Sequence, residues 1–267
     1  MRLKALIFDV DGTLADTEEA HRSAFNGAFE QLGIEWNWSK PQYAHLLRTT
    51  GGKERLTAYI ESLALPPAQR AALLARVVEI HGVKTAIYTR LVLAGAVPLR
   101  DGVERLLDEA EGAGLRLAIA TTTTFANIEA LLGTTLGPGA LQRFAVIGAG
   151  HDAVHKKPAP DIYQHVLREL KLGSDACAAI EDSGNGLKAA KGAHLFTVVT
   201  PSYWSRTDDF SAADMVLPSL GSGERPLPPH VASLVGASML GVREIDRQLE
   251  AAGAYEYIRA TGRHQDG

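Results

Sequence analysis

The chain has 267 residues, of which 46% are hydrophobic, and a formal net charge of -4 at pH 7. This length fits one large domain or a core with a small second domain, and no apolar run approaches the length of a membrane span. Its negative charge argues against nucleic acid as the main partner, because a basic face is the usual footprint there. One cysteine, Cys177, excludes an internal disulfide, and no secretory leader is evident, so we expect a cytoplasmic protein.

The first predicted element is a buried strand over residues 3–8 that runs directly into Asp9 and Asp11. Their spacing places both carboxylates on one side of the strand if it stays extended, and Gly12 lets the backbone turn away. Two crowded acids repel each other, so this place requires a cation or a shared proton. The pair makes the chain a candidate enzyme.

Residues 17–97 show helical spacing and no convincing strand. We interpret this segment as an all-helical cap inserted after the first strand; a lid is the functional interpretation and a passive decoration is the alternative. Its most distinctive string is Thr49 to Arg55, in which two glycines precede Lys53. Such a string can cradle an anion with its N–H groups and cations. A simple turn followed by a solvated helix face is the alternative.

Five further short strands are predicted, with helices between them. They cover residues 115–120, 144–147, 176–180, 196–199 and 215–217. Alternation of strands and helices predicts an α/β fold in which a parallel sheet is covered on both faces. The active site is then expected at the carboxyl ends of the strands.

Polar residues suited to catalysis or ligand binding follow three of these strands. Thr121 begins a run of four threonines whose hydroxyl and N–H groups suit phosphate oxygens, although an N-cap at Thr124 is the alternative. Lys157 offers a point charge for a phosphoryl group, with a solvated lysine as the alternative. Glu181 and Asp182 end another strand, and four carboxylates that converge with one lysine require a divalent cation. Ligation by oxygen atoms alone indicates Mg²⁺.

Residues 221–267 are expected to form a C-terminal extension, a loop plus one helix. The stretch 219–229 is rich in glycine and proline, and Leu240, Ile245 and Leu249 then follow along one side of a helix. We expect this helix to pack on the core, and a contact between two copies of the chain is the weaker alternative.

Four segments carry these polar residues, and their order along the chain resembles that of the haloacid dehalogenase superfamily of phosphotransferases. The segments are residues 9–13, 121–124, 156–161 and 180–186, and the resemblance covers roughly residues 1–220. It implies a Rossmann-like parallel-sheet core over residues 1–16 and 98–220, with an inserted all-helical cap over 17–97. Dehalogenation is not expected, because that branch lacks the acid found here at Asp11.

The superfamily resemblance also implies roles for individual residues. Asp9 would be the nucleophile and Asp11 the general acid and base. Thr121 and Lys157 would bind the transferred phosphoryl group. The implied Mg²⁺ ligands are Asp9, the backbone carbonyl of Asp11 and Asp182. Glu181 is either an additional ligand or a residue that supports the ligands without touching the ion.

Within the superfamily, the chain is most similar to the CbbY-type phosphatases. The resemblance rests on residues 16–19, His21, Arg22, Trp36, Trp38, residues 49–55 and residues 121–123. That family's implied activity is hydrolysis of xylulose 1,5-bisphosphate, an inhibitory by-product of Rubisco, which links it to the Calvin cycle and carbon dioxide fixation. A bisphosphate would explain a second anion site in the cap. The implied substrate contacts are Asp9, Glu18, His21, Gly51, Gly52, Lys53, Glu54, Arg55, His81, Lys84, Thr121, Thr122, Thr123, Asn127 and Lys157.

Three alternatives remain at this point. A β-phosphoglucomutase shares the same core and the positions of His21 and Lys84, and a phosphatase of another small phosphorylated sugar is also compatible. A non-enzymatic binding or regulatory protein is disfavoured, because every catalytic position is occupied by a suitable residue. We expect a monomer that binds a small phosphorylated sugar, with no direct contact to Rubisco, nucleic acid or a membrane. Trp36 and Trp38 are expected in the interior of the cap.

Overall fold

The computed structural model of the protein describes residues 1–262, with side chains described for residues 1–252. Within these residues, one parallel sheet has the strand order β3-β2-β1-β4-β5-β6. The strands are β1 (Ala5–Phe8), β2 (Arg116–Ala120), β3 (Phe144–Gly148), β4 (Cys177–Glu181), β5 (Phe196–Val199) and β6 (Met215–Val216). The predicted α/β class and the six predicted strands are confirmed, with ends that differ by at most two residues.

Helices connect the strands and cover the sheet. They are α1 (Glu18–Gln31), α2 (Lys40–Leu46), α3 (Gly52–Ser62), α4 (Pro67–Ala75), α5 (Val77–Leu93), α6 (Val103–Gly112), α7 (Phe125–Thr135), α8 (Asp161–Leu170), α9 (Gly184–Gly192), α10 (Pro229–Val235) and α11 (Val242–Gly262). None of the helices within residues 1–262 has the length and apolar character needed to cross a bilayer.

The central strand β1 shows why the sheet is buried on both faces. Its side chains alternate, so Leu6 and Phe8 pack into the apolar cluster formed with α6 and α7. Ala5 and Ile7 pack into a second cluster with α8 and α9 on the opposite face. A strand buried on both faces has a continuous apolar sequence, as this one has. The acids that follow β1 are therefore held at the end of a fully buried strand.

Five helices, α1 to α5, lie between β1 and the rest of the sheet in sequence, and no strand occurs in residues 17–97. They enclose an apolar cluster of their own, in which Phe25 and Phe29 contact Trp38 with ring centroids 4.8 and 4.9 Å away. Trp38 is fully buried, which confirms it as an interior residue, and Trp36 is partly buried against the same cluster. This separate cluster supports the proposed division into core and cap, whose boundaries remain a prediction.

The C-terminal extension packs on the core, as expected. Leu240, Ile245 and Leu249 are buried in the cluster that also contains Phe8 of β1. The expectation of a single helix is wrong, because Gly236 adopts a φ of 82° and ends α10 before α11 begins. The polar end at residues 263–267 lies outside the described residues.

Candidate active site

The carboxyl ends of the central strands meet the cap at a cavity of about 770 Å³. Parallel strands end at the same edge of the sheet, so residues that are far apart in sequence are brought together there. Asp9 follows β1, Thr121 follows β2 and Glu181 ends β4, while Lys157 lies in the loop between β3 and α8. Residues of α1, α3 and α5 line the opposite wall.

Lys157 lies at the centre of a buried cluster of acids. Its Nζ donates to Asp9 Oδ1 at 2.7 Å and to Glu181 Oε1 at 2.6 Å, and Glu181 also accepts from the hydroxyl of Tyr163 at 2.6 Å. Burial alone would lower the pKa of Lys157, but the two carboxylates raise it above its usual range. The lysine is therefore a permanent positive charge under the cavity.

Burial also changes the acids around this lysine. It raises the pKa of Asp9 from 3.8 to about 7, against the opposing effect of Lys157. Burial, together with the charges of Asp9 and Glu181, holds the pKa of Asp182 well above its usual range. More negative charge is gathered here than one lysine offsets, so a further cation would stabilise the cluster.

Asp9, Glu181 and Asp182 can present oxygen atoms that all lie within 4.8 Å of one another. All three residues are buried, and Ser205 donates to the backbone carbonyl of Asp182 at 2.7 Å, which orients the loop. A Cβ added at Gly12 would lie 2.2 Å from Asp182 Oδ2, so only glycine permits this approach. A compact set of carboxylate oxygens fits a hard divalent cation. The side chain of Asp11 is not part of this set.

Asp11 instead faces α1 and α5. Its Oδ1 accepts from Thr17 Oγ1 at 2.6 Å and lies 3.0 Å from His21 Nε2, while Lys84 Nζ lies 2.7 Å from His21 Nδ1. These partners assign the proton of a neutral His21 to Nε2, because the lysine must donate to Nδ1. The pKa of His21 is lowered, first by burial and then by Lys84. Burial lowers the pKa of Lys84 to about 8.

The same contacts fix the charge of Asp11. Burial acts to raise its pKa, but the charge and hydrogen bond of His21, the Thr17 hydroxyl and Lys84 outweigh it and hold the pKa below its usual range. The two acids of the opening motif therefore differ: Asp9 shares a buried acid cluster, and Asp11 is a stabilised carboxylate that accepts hydrogen bonds.

The threonine run combines a helix cap with groups that face the cavity. Thr124 is the N-cap of α7 and accepts from the backbone N–H of Asn127, so the capping alternative holds at that residue. Thr121, Thr122 and Thr123 also line the cavity. Asn127 donates to Thr123 Oγ1 at 2.9 Å, and its Oδ1 is buried without a hydrogen-bond partner among the described residues. The run therefore offers hydroxyl and amide groups beside Asp9.

The cap wall holds a second polar network around the Arg55 guanidinium, which is buried. Arg55 donates to the hydroxyl of Tyr43 at 3.0 Å and to the carbonyl of Thr49 at 3.3 Å, and the Tyr43 hydroxyl donates to Glu18 Oε2 at 2.8 Å. Gly51 has a φ of 93° and immediately precedes α3, which carries Arg55. The N-terminus of α3 and its cations thus face the cavity opposite Asp9, an arrangement suited to an anion.

His81 lies against the same helix end. A Cβ added at Gly52 would lie 2.5 Å from His81 Nε2, so the glycine allows close packing of α3 on α5. Burial, and then the positive charges of Lys84 and Lys53, lower the pKa of His81 to about 4. His81 is therefore neutral at physiological pH.

The structure brings the sequence-predicted residues to one cavity. All of them line it except Glu181, which is fully buried beneath Lys157. Their catalytic and binding roles remain predictions. Five residues near the site were not singled out from the sequence: Tyr43, Tyr163, Asn185, Trp204 and Ser205. Each had an ordinary explanation as a core, helix or loop residue, and only the long-range contacts show their place at the site.

Comparisons with known proteins place this fold in a family. The family of haloacid dehalogenase-like hydrolases matches residues 3–194. Protein CbbY, plasmid, of Cupriavidus necator is 51% identical over 230 residues, which cover 86% of this chain and 90% of that protein.

Two crystal structures of CbbY from Rhodobacter sphaeroides are also similar, one in complex with phosphate and one of a mutant with xylulose-(1,5)bisphosphate. Each has a TM-score of 0.75 and 44% identity, covering 81% of this chain and 94% of that chain. The chain therefore belongs to the haloacid dehalogenase-like hydrolases, and within them to the CbbY family, as a phosphatase.

Proposed function

We propose that this phosphatase is Mg²⁺-dependent and hydrolyses xylulose 1,5-bisphosphate to xylulose 5-phosphate and phosphate through an aspartyl-phosphate intermediate. One observation carries the proposal: the cavity has a buried acid cluster with Lys157 on its core wall and the cations of α3 and α5 on its cap wall. A substrate with a phosphate at each end complements both walls. The bound bisphosphate in the CbbY structure from Rhodobacter sphaeroides supports the same substrate class.

Asp9 is the proposed nucleophile. One carboxylate oxygen of Asp9 attacks phosphorus in line, the bond between phosphorus and the sugar oxygen breaks, and the phosphoryl group is then carried on Asp9. Lys157, which donates to Asp9 Oδ1, offsets the negative charge of the phosphoryl oxygens. The hydroxyl of Thr121 lies at the end of the adjacent strand, where it can donate to the same group.

Asp11 is the proposed general acid and base. The sugar oxygen needs a proton as it leaves, and Asp11 gives it that proton. A phosphate dianion beside Asp11 raises its pKa against the effect of the His21–Lys84 pair, so the resting carboxylate takes up a proton from solvent as the substrate binds. In the second step Asp11 takes a proton from the water that attacks phosphorus, inorganic phosphate leaves, and Asp9 is regenerated.

The proposed ligands of Mg²⁺ are carboxylate oxygens of Asp9 and Asp182 with the backbone carbonyl of Asp11. Glu181 is an additional ligand or supports these ligands without touching the ion. When bound, the ion supplies positive charge that favours the ionised acids and the phosphoryl oxygens. Ser205 and Gly12 keep Asp182 in place for this role. Tyr163 and Lys157 hold Glu181 from the other side.

The second phosphate is assigned to the cap. Gly51 and Gly52 expose backbone N–H groups at the start of α3, and Lys53 and Arg55 follow on the same helix. Glu18, which is linked to Arg55 through Tyr43, is placed to accept from a sugar hydroxyl. The substrate would then extend from Asp9 to Arg55.

The test is phosphate release from a panel of sugar mono- and bisphosphates, with and without Mg²⁺. We expect xylulose 1,5-bisphosphate to be preferred, EDTA to abolish release and added Mg²⁺ to restore it. A strong preference for monophosphates would overturn the assignment of a second anion site. Interconversion of glucose phosphates without phosphate release would instead establish a β-phosphoglucomutase. A functional link to Rubisco through its inhibitor, a cytoplasmic location and a monomeric state remain predictions.

A further inference from the structure

Asn185 forms a bridge between the acid loop and the cap. It lies in the first turn of α9, three residues after Asp182. Its Nδ2 donates to the carbonyl of Arg48 at 3.1 Å and to Thr50 Oγ1 at 2.9 Å. In the part of the chain that the structure describes, these are the hydrogen bonds that connect residues 40–75 with the core.

The base of this bridge is fixed by the turn that holds Asp182. Ser183 caps α9 by accepting from the N–H of Gly186 at 3.1 Å. The N–H of Gly184 donates to Asp208 Oδ2 at 2.8 Å. Because both neighbours of Asn185 are held, the direction of its side chain is set by the loop that carries the proposed metal ligands.

The other end of the bridge is the segment before α3. Thr50 directly precedes Gly51, and α3 then carries Lys53 and Arg55 toward the cavity. A helix moves as a rigid unit, so a shift of residues 48–50 displaces both cations. A second contact beside the bridge also joins the core to the cap. Trp204 of the core packs edge-on against Tyr43 of the cap, with ring centroids 5.6 Å apart.

We propose that Asn185 is a positioning residue that couples the acid loop to the cap segment carrying the second phosphate site. Asn185 also lines the cavity, and the role proposed for it is to hold α3 in place through Thr50 and the backbone of Arg48. Its kinetic consequence rests on the proposed function, because only a substrate with a second phosphate requires α3 in this position.

The kinetic test compares Asn185→Ala with wild type on two substrates. With xylulose 1,5-bisphosphate we expect kcat/KM to fall roughly 5- to 10-fold, mainly through KM, for the loss of two hydrogen bonds. With p-nitrophenyl phosphate, which has a single phosphate, we expect a change within about twofold. Thr50→Val, which keeps the shape of the residue but not the hydroxyl, should show part of the same pattern. In the double variant the losses should not add, because both residues belong to one contact.

An equal fall with both substrates would overturn the proposal, because Asn185 would then act on the acid loop alone. Additive losses in the double variant would overturn it as well. Asn37→Ala serves as the matched control, since Asn37 is an exposed asparagine of the cap.

A second measurement does not depend on the substrate. Amide hydrogen exchange of residues 48–55 should become faster in Asn185→Ala than in wild type, while exchange in β1 and β4 stays the same. Unchanged exchange in residues 48–55 would refute the bridge. If wild type fails to hydrolyse the bisphosphate, the proposed function is wrong, and the exchange experiment still decides the role of Asn185.

Discussion

The core wall and the cap wall of the active site hold their charges in opposite ways. The core wall gathers carboxylates, and the lysine among them is fully engaged by Asp9 and Glu181. The cap wall gathers cations, and none of the salt bridges among the described residues involves Lys53, Arg55 or Lys84. Arg55 contacts a phenol hydroxyl and a carbonyl oxygen, and Lys84 contacts an imidazole.

This difference indicates what each wall requires. The core wall has excess negative charge at low exposure, so it needs a cation before a phosphate can approach. The cap wall has positive charge without an anionic partner, so it is complementary to an anion. Under the proposed function, the core wall carries out the chemistry and the cap wall selects the substrate. Substitutions on each wall should separate these contributions.

The largest effect is expected on the core wall, from Asp9→Asn. Loss of the proposed nucleophile should lower phosphate release by at least about 10⁴-fold, with every substrate affected alike. The fold should persist, because Lys157 keeps Glu181 as a partner and one buried charge is removed. Phosphate release and thermal unfolding measure the two outcomes. Asp175→Asn, at an exposed carboxylate before β4, is the control; retained activity in Asp9→Asn would refute the nucleophile.

On the cap wall, Arg55→Met should affect substrates selectively. The variant keeps the aliphatic stem but loses the guanidinium, so KM for a sugar bisphosphate should rise roughly 10- to 100-fold. The KM for a monophosphate should change little. Steady-state kinetics on both substrates provide the test, with Arg90→Met, at an exposed arginine of the cap, as control. Equal losses on mono- and bisphosphates would contradict the division between the walls.

The sequence predicted the two walls unequally. The core wall could be read from strand ends, because Asp9, Thr121 and Glu181 each lie where an apolar strand stops, and parallel strands must meet there. Lys157 required the family pattern, since nothing in a loop lysine fixes its partner. The cap segment was recognised as helical from its spacing, and Gly51 marked the turn before α3.

Other parts depended on packing that spacing does not encode. In the sequence, Tyr43 looks like any buried aromatic residue of a short helix. Only the fold places its hydroxyl between Glu18 and Arg55. Tyr163 likewise occupies an apolar helix position, yet its hydroxyl reaches Glu181. Gly236 ends α10 through its positive φ, where a continuous helical pattern had suggested one helix. Long-range polar contacts of buried side chains therefore could not be predicted from the sequence.

A pH experiment tests the positive character of the cap wall. The pKa of His81 is lowered to about 4 by burial and by the neighbouring charges of Lys84, Lys53, His21 and Arg55. His81 takes up a proton near pH 6.5 in the unfolded chain but only near pH 4 in the folded chain. The unfolding free energy is therefore highest above pH 6.5 and falls as the pH is lowered below that value.

Between pH 7 and pH 5, wild type should therefore lose about 2 kcal/mol of unfolding free energy more than His81→Gln does. Urea unfolding at both pH values measures the difference. His230→Gln, at an exposed histidine, should behave like wild type. Parallel pH dependence in wild type and His81→Gln would show that the surroundings of His81 are less buried or less positive than described.

The smallest expected effect concerns the polar link within the cap wall. Tyr43→Phe removes the hydroxyl that joins Arg55 to Glu18 and keeps the ring in its buried aromatic cluster. Arg55 then loses one of its two hydrogen bonds, so kcat/KM for a sugar bisphosphate should fall roughly 5-fold, with p-nitrophenyl phosphate unaffected. Tyr59→Phe, on the same cap cluster, is the matched control. A larger loss than in Arg55→Met would mean that Glu18, rather than Arg55, depends most on this hydroxyl, and would shift substrate choice from charge to hydrogen bonding.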